Sequence, residues 1–207
     1  MSVALIQPQF APNLFDLASM LRADRVILLD TDIWSRKGRT HRAALQTRSG
    51  LQWVNIPIHT EDKKKPINQV QINHSEKLWF ETFWNAIHHN YHHARYFDYF
   101  EDELLAELQA ASNKEKLIEF TKHLLPKLLQ YLEIEIEFEW MSELVDIDIN
   151  SELIFQEYQS KNYIRQLPST HPAEIKDSGI RTMGECSILH VLLTHGPESF
   201  KIIDLLV

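Results

Sequence analysis

Between Ile33 and Thr60 the chain carries five basic residues, Arg36, Lys37, Arg39, Arg42 and Arg48, and no aspartate or glutamate. The whole sequence of 207 residues has 21 Lys and Arg against 29 Asp and Glu, a formal net charge of −8. A basic run inside an acidic chain is not a consequence of composition. Guanidinium groups present a planar fork of N–H donors that matches phosphate or carboxylate. The run therefore reads either as an anion-binding loop or as ordinary solvated surface. It is neither a P-loop nor a dinucleotide fingerprint.

The residues just before the run widen its chemistry. Asp30 and Asp32 are two positions apart, so in an extended segment their carboxylates point to one side. They could hold a hydrated divalent cation beside a bound phosphate, or simply pair with Arg36 or Arg42. Gln7 stands before Pro8 at the end of the first apolar run, and its amide both donates and accepts. The other conspicuous cluster is "HHNYHH". On a helix His88 and His92 lie four apart, as do His89 and His93, so each pair could chelate. A zinc site wants a third ligand, and no glutamate completes a zincin pattern. Structural or surface histidines without a tightly bound metal are expected. No nucleophile motif surrounds Ser35 or Ser199. Cys186 has no neighbouring cation in sequence and reads as a small buried residue. His195 and Glu198 flank a helix break and could reach a pocket or serve the helix end.

These residues need elements to hold them. "VALIQ" and "RVILLD" are short apolar runs of the buried-strand kind. Between them Asn13 is a helix cap, and Leu14, Leu17, Ala18 and Leu21 share one helical face. A strand–helix–strand unit of this length implies a parallel pair. Gln7 and Asp30 then end neighbouring strands, at the edge where open α/β sheets bind ligands. Residues 31–50 read as a mostly irregular connection, "LQWVNIPI" as a third strand, "HTEDKKKP" as a solvated turn and "INQVQI" as a fourth strand. A helical hairpin follows: one helix from Trp79 to about Leu108, another through Leu117–Leu132 with a kink or break at Pro126. "IEIEFEW" alternates apolar and acidic residues, as an antiparallel or edge strand does. "SELIFQEYQSKNYIRQL" is a further helix, residues 168–184 a loop, "ECSILHVLLTH" a buried helix stopped by Gly196 and Pro197, and "PESFKIIDLLV" a short last helix. The expected fold is α/β, a mainly parallel Rossmann-like sheet flanked by helices. It forms one domain over 1–207 with a mainly helical region at about 76–133 and a helical C-terminus.

Several classes of function are disfavoured. An acidic chain is a poor generic partner for nucleic acid. One cysteine forms no internal disulfide, which points to a reducing compartment. No apolar run reaches the ~20 residues of a membrane span. "MSVALIQPQF" lacks the basic start and long apolar segment of a signal peptide. A cytoplasmic protein is expected.

The chain also resembles the WbqC-like family of proteins associated with bacterial surface-polysaccharide biosynthesis. "LIQPQFAPNLFDLASMLRADRVILLD" is similar to the family's opening. Asp30, Ser35, Arg36 and Arg42 in "LDTDIWSRKGRTHRAAL" fall on its Asp, Ser-Arg and arginine positions without a gap. "QWVNIPI", "LWFETFWNAIHHNYHHARYFDYF" and "SILHVLLTHGPESF" extend the likeness. The departures mark a divergent member: Thr31 stands where a second Asp is usual, and Arg39 and His41 where an aromatic and an Asn are usual. The resemblance implies group transfer, of an acyl or aminoacyl unit, on a sugar, amino-sugar or nucleotide-sugar intermediate. The alternative is a non-catalytic binding or scaffold protein that assists neighbouring biosynthetic enzymes. On the first reading Asp30 orients the acceptor or acts as base and Gln7 positions the substrate. Ser35, Arg36, Lys37, His41 and Arg42 bind a small anionic or phosphorylated substrate. No cofactor is implied beyond a possible divalent cation at Asp30.

Overall fold

The computed structural model describes residues 3–144 and 184–204. The helix expected at 151–167 and most of the loop expected at 168–184 lie outside the described residues.

The expected α/β class is what the chain adopts. Strand β1 (Val3–Ile6) pairs in parallel with β2 (Arg25–Leu28). Helix α1 (Leu14–Arg22) connects them; Asn13 caps it by accepting the Asp16 amide at 3.0 Å. One face of α1 buries Leu14, Leu17 and Ala18. This is the pattern read from helical spacing.

The third strand of this sheet is β5 (Phe138–Trp140), which pairs in parallel with β2 and forms an edge. The alternation of "IEIEFEW" thus marks an edge strand, but a parallel one. Its wet face carries Glu139, which accepts two hydrogen bonds from Arg25 at 2.6 and 2.9 Å.

Residues 42–55 depart from expectation. Instead of an irregular connection before one strand, β3 (Arg42–Thr47) and β4 (Gly50–Asn55) form an antiparallel hairpin separate from the parallel sheet. Gly50, at φ 127°, closes the turn in a conformation that side chains resist. The expected fourth strand is also absent as a strand. Ile67–Gln69 is a 3₁₀ turn. The amides of Ile67 and Asn68 donate to the carbonyls of Asp32 and Asp30, each at 2.9 Å. The period of two in "INQVQI" survives only in isolated bridges, Ile58 to Ile72 and Gln71 to Lys116.

The long first helix divides in two. α2 (Trp79–Tyr91) ends at His92, and α3 (Phe97–Ser112) begins after Tyr96, whose amide donates to the Leu193 carbonyl at 3.1 Å. α4 (Leu117–Tyr131) runs through Pro126 without a break. α5 (Ile188–His195) stops at Gly196, at φ 50°, where the Tyr96 ring leaves no room for a Cβ. A short turn leads into α6 (Phe200–Ile203). The core joins these layers through Phe10, whose ring meets Phe83 at 6.0 Å and Phe120 edge-on at 5.4 Å.

Candidate functional site

A cleft of about 1070 Å³ opens between the β3–β4 hairpin, the loop after it and the start of α2. Its lining includes Arg36, Arg42, Lys63 and Lys77, with Glu76 as the one carboxylate among the described residues. Trp34, Trp53 and Trp79 supply aromatic walls. The described lining is thus locally cationic in a chain of net charge −8.

Arg42 is held firmly. Its Nε donates to the Gly38 carbonyl at 2.8 Å and one terminal nitrogen to the Lys37 carbonyl at 2.6 Å. Its guanidinium lies 4.2 Å from the centre of the Trp53 ring. The group has five N–H donors in all, so those not engaged by the loop remain for a ligand. Gly38 lets the loop close: a Cβ there would sit 3.1 Å from the Ser35 carbonyl. Arg36, in contrast, is exposed and has no ion pair among the described residues.

His41 is 7% exposed and packs edge-on to Trp34, with ring centres 5.1 Å apart. Burial, reinforced by Arg42 and Arg36, pulls its pKa down to about 4. The imidazole is therefore neutral at physiological pH. His41 Nδ1 and Trp34 Nε1 are both buried without a hydrogen-bond partner among the described residues, an arrangement with a free-energy cost.

The expected residues thus divide. Arg36, His41 and Arg42 come together on the cleft. Ser35 and Lys37 shape the loop behind it: Ser35 Oγ accepts the Lys37 amide at 3.3 Å, and the Lys37 carbonyl receives Arg42. Gln7 lies beside this loop and donates to Asp32 at 2.9 Å. Asp30 is 1% exposed, and its two oxygens accept the Ser142 amide at 2.9 Å and the Ser142 hydroxyl at 2.5 Å. It ties the end of β2 to the residues after β5. The two carboxylates Asp30 and Asp32 serve different partners, and neither forms an ion pair with Arg36 or Arg42.

The family model of the WbqC-like protein family matches residues 7–176. The chain belongs to the WbqC-like protein family. No curated protein and no solved structure matches it.

In this family member a second polar cluster lies behind the hairpin, where sequence gave no warning. Gln9 and Asn13 both donate to one oxygen of the buried Asp16, at 2.5 and 2.6 Å. Burial raises the Asp16 pKa, while Gln9, Arg39 and Asn13 oppose the rise. Arg39 pairs with Glu185 and approaches the Trp53 ring at 5.3 Å. Burial pushes the Cys186 thiol up to about 12, so it is no ready thiolate. The histidines of α2 stand apart from the cleft. His88 and His92 stack with centres 5.4 Å apart. Among the described residues no three His, Cys, Asp or Glu side chains are grouped to hold a metal ion. No helix among them is long and apolar enough to cross a membrane.

Lys63, Lys77, Trp34 and Trp79 were missed as cleft residues. The "KKK" run and the tryptophans were visible, but only the packing of three separate segments brings them to one place.

Proposed function

We propose that this chain binds a phosphorylated sugar, amino-sugar or nucleotide-sugar intermediate in the cleft and serves cytoplasmic group transfer in surface-polysaccharide biosynthesis. The observation that carries the binding half is Arg42, fixed on Trp53 and lining a cleft that also holds Arg36, which has no ion pair among the described residues. Aromatic rings favour the apolar faces of sugars and bases, and the cations favour phosphate. Family membership supports the sugar-intermediate half. Arg36 and Arg42 grip the anion, and neutral His41 lies in the wall between them and Trp34. Asp30 and Gln7 brace the strand ends behind the loop.

A second reading, a non-catalytic binding protein that presents the intermediate to neighbouring enzymes, is favoured by one feature. The group with the most ordinary nucleophile chemistry, Cys186, is buried and held protonated. A thermal-shift screen with nucleotide-sugars, acyl phosphates and simple anions tests both. Stabilisation by an anionic sugar in the wild type, diminished in Arg36→Ala and Arg42→Ala, is the expected result. Absence of stabilisation by every anion refutes the site. Turnover of a bound pair of donor and acceptor then separates the enzyme from the carrier.

A further inference from the structure

We infer that Lys63 and Lys77 form a second anion subsite in the cleft, so that its ligand carries two phosphoryl groups rather than one. The inference rests on the reading of the cleft as an anion site, and it assigns residues outside the basic run.

The loop that carries Lys63 is built to hold a fixed place. Asp62 is 0% exposed, accepts the Gln71 amide at 2.6 Å and pairs with Lys65. The Lys65 carbonyl in turn accepts the Trp34 amide at 2.9 Å. Lys64, at φ 75°, takes the reversal in a left-handed conformation uncommon for a side-chain residue. The expected solvated turn is exposed at Thr60, Glu61, Lys63 and Lys64, and the buried Asp62 anchors it. One of its three consecutive lysines is neutralised by Asp62, and another, Lys63, lines the cleft with no ion pair among the described residues.

Lys77 arrives from a different segment. The Asn73 side chain accepts the amide and hydroxyl of Ser75 at 3.2 and 2.6 Å, and the Trp79 amide donates to Glu76 at 3.1 Å. This turn delivers Lys77 to the cleft immediately before α2. The 13-residue helix begins at Trp79, and Leu78 before it gives no side-chain cap, which leaves the first-turn amides after Trp79 open to an acceptor. Leu78, Trp79, Thr82 and Phe83 of the same helix end also line the cleft. The buried, unpartnered Trp34 Nε1 and His41 Nδ1 belong to residues of that same lining.

Cations that reach one cleft of about 1070 Å³ from three separate segments match a ligand with more than one anionic group. Two phosphoryl groups, linked directly or through a sugar, satisfy the Arg36–Arg42 pair and the lysine pair together.

Isothermal titration at low ionic strength tests this with orthophosphate, glucose 1-phosphate, pyrophosphate and glucose 1,6-bisphosphate. Pyrophosphate and the bisphosphate separate the directly linked from the sugar-linked ligand. In wild type at least one of these two should bind about tenfold or more tighter than the monophosphates. Lys63→Ala/Lys77→Ala should erase that preference. Lys64→Ala, altering an exposed lysine outside the lining, should leave the preference intact and so exclude a bulk charge effect. Monophosphate binding with no preference for two phosphoryl groups, or a preference that survives the double substitution, overturns the second subsite alone. Failure of every probe, with Arg36→Ala equally silent, overturns the anion reading and the subsite together.

Discussion

The ends of the parallel strands and the face of the β3–β4 hairpin are both rich in polar side chains, yet they use them in opposite ways. At the strand ends the polar groups are consumed internally: Asp30 holds Ser142, Gln7 holds Asp32, and Arg25 on the far side holds Glu139. At the hairpin the cations face a cleft, and Arg36, Lys63 and Lys77 have no ion pair among the described residues. A buried carboxylate must be compensated, and burial decided Asp30's partners. A cation on an open wall can remain solvated until a ligand arrives. Position at a strand end is thus insufficient to mark a binding residue; what matters is which groups the fold leaves available.

The largest test of this contrast is Asp30→Ala. It leaves the buried Ser142 amide and hydroxyl without their acceptor. The hydrogen bonds to a charged group and the desolvated donors together suggest a loss of about 3–5 kcal/mol. Denaturant unfolding should show this loss, whereas the fraction that remains folded should bind anions with affinity close to wild type. A normal midpoint with lost binding would reverse the assignment and return Asp30 to the ligand.

Next comes acid sensitivity. His41 has a folded pKa of about 4 against an ordinary 6.5. The neutral form is the one the fold accepts, so His41's stability contribution is fully present above pH 6.5. As pH falls from 6.5 to 4, the unfolded chain takes up a proton that the folded chain refuses, and stability declines. Below 4 the folded state also protonates and this decline levels off. The span corresponds to about 3 kcal/mol. His190, also pulled down to about 4 by burial and by His195, adds to the same window. The gap between urea midpoints at pH 7 and pH 4.5 should narrow when His41 is replaced by Gln, with the remainder left to His190. An equally steep acid loss in His41→Gln would assign the sensitivity elsewhere.

The hairpin itself is sharpened by Arg36→Ala. Its side chain is exposed and has no ion pair among the described residues, so the melting temperature should hold within about 2 °C while anion affinity falls about tenfold. Arg42→Ala is a blunter tool because Arg42 also closes the loop onto Gly38 and Lys37. A drop in melting temperature for Arg36→Ala without an affinity change would make the loop architecture.

How much of this was legible follows from where the determining partners lie. β1, α1 and β2 were readable because their apolar periods and the Asn13 cap are local. β3 was not: "RAALQT" has little strand propensity, and it becomes a strand through pairing with "GLQWVN" across Gly50. "INQVQI" failed in the opposite direction, since the carbonyls of Asp30 and Asp32 claim its first amides. Of the candidate site, the arginines were visible as a charge anomaly. Lys63 and Lys77 were not, because their meeting with Arg42 depends on tertiary packing. Asp30 shows the limit most clearly: its position at the end of β2 was anticipated, but its partner is 112 residues away.

The smallest effect is expected where the sequence is most conspicuous. The His92 Nδ1 lies 3.1 Å from the His88 carbonyl, and His88 Nε2 is 3.6 Å from Glu101 on the surface. Exposed pairs of this kind contribute about 0–1 kcal/mol. His88→Ala/His92→Ala should therefore shift the melting temperature by only about 1–2 °C, with anion affinity unchanged. Neither group belongs to the strand-end braces or to the cleft, so the double variant is the control for both regions. It also bears on metal: two imidazoles four residues apart can chelate weakly, but a tight site needs further ligands. Chelator-washed protein should carry no stoichiometric zinc, and added zinc should raise the melting temperature equally little in wild type and variant. A large zinc-dependent rise confined to wild type would mean that a ligand from elsewhere in the chain completes the site, and the histidines would then form a third functional region.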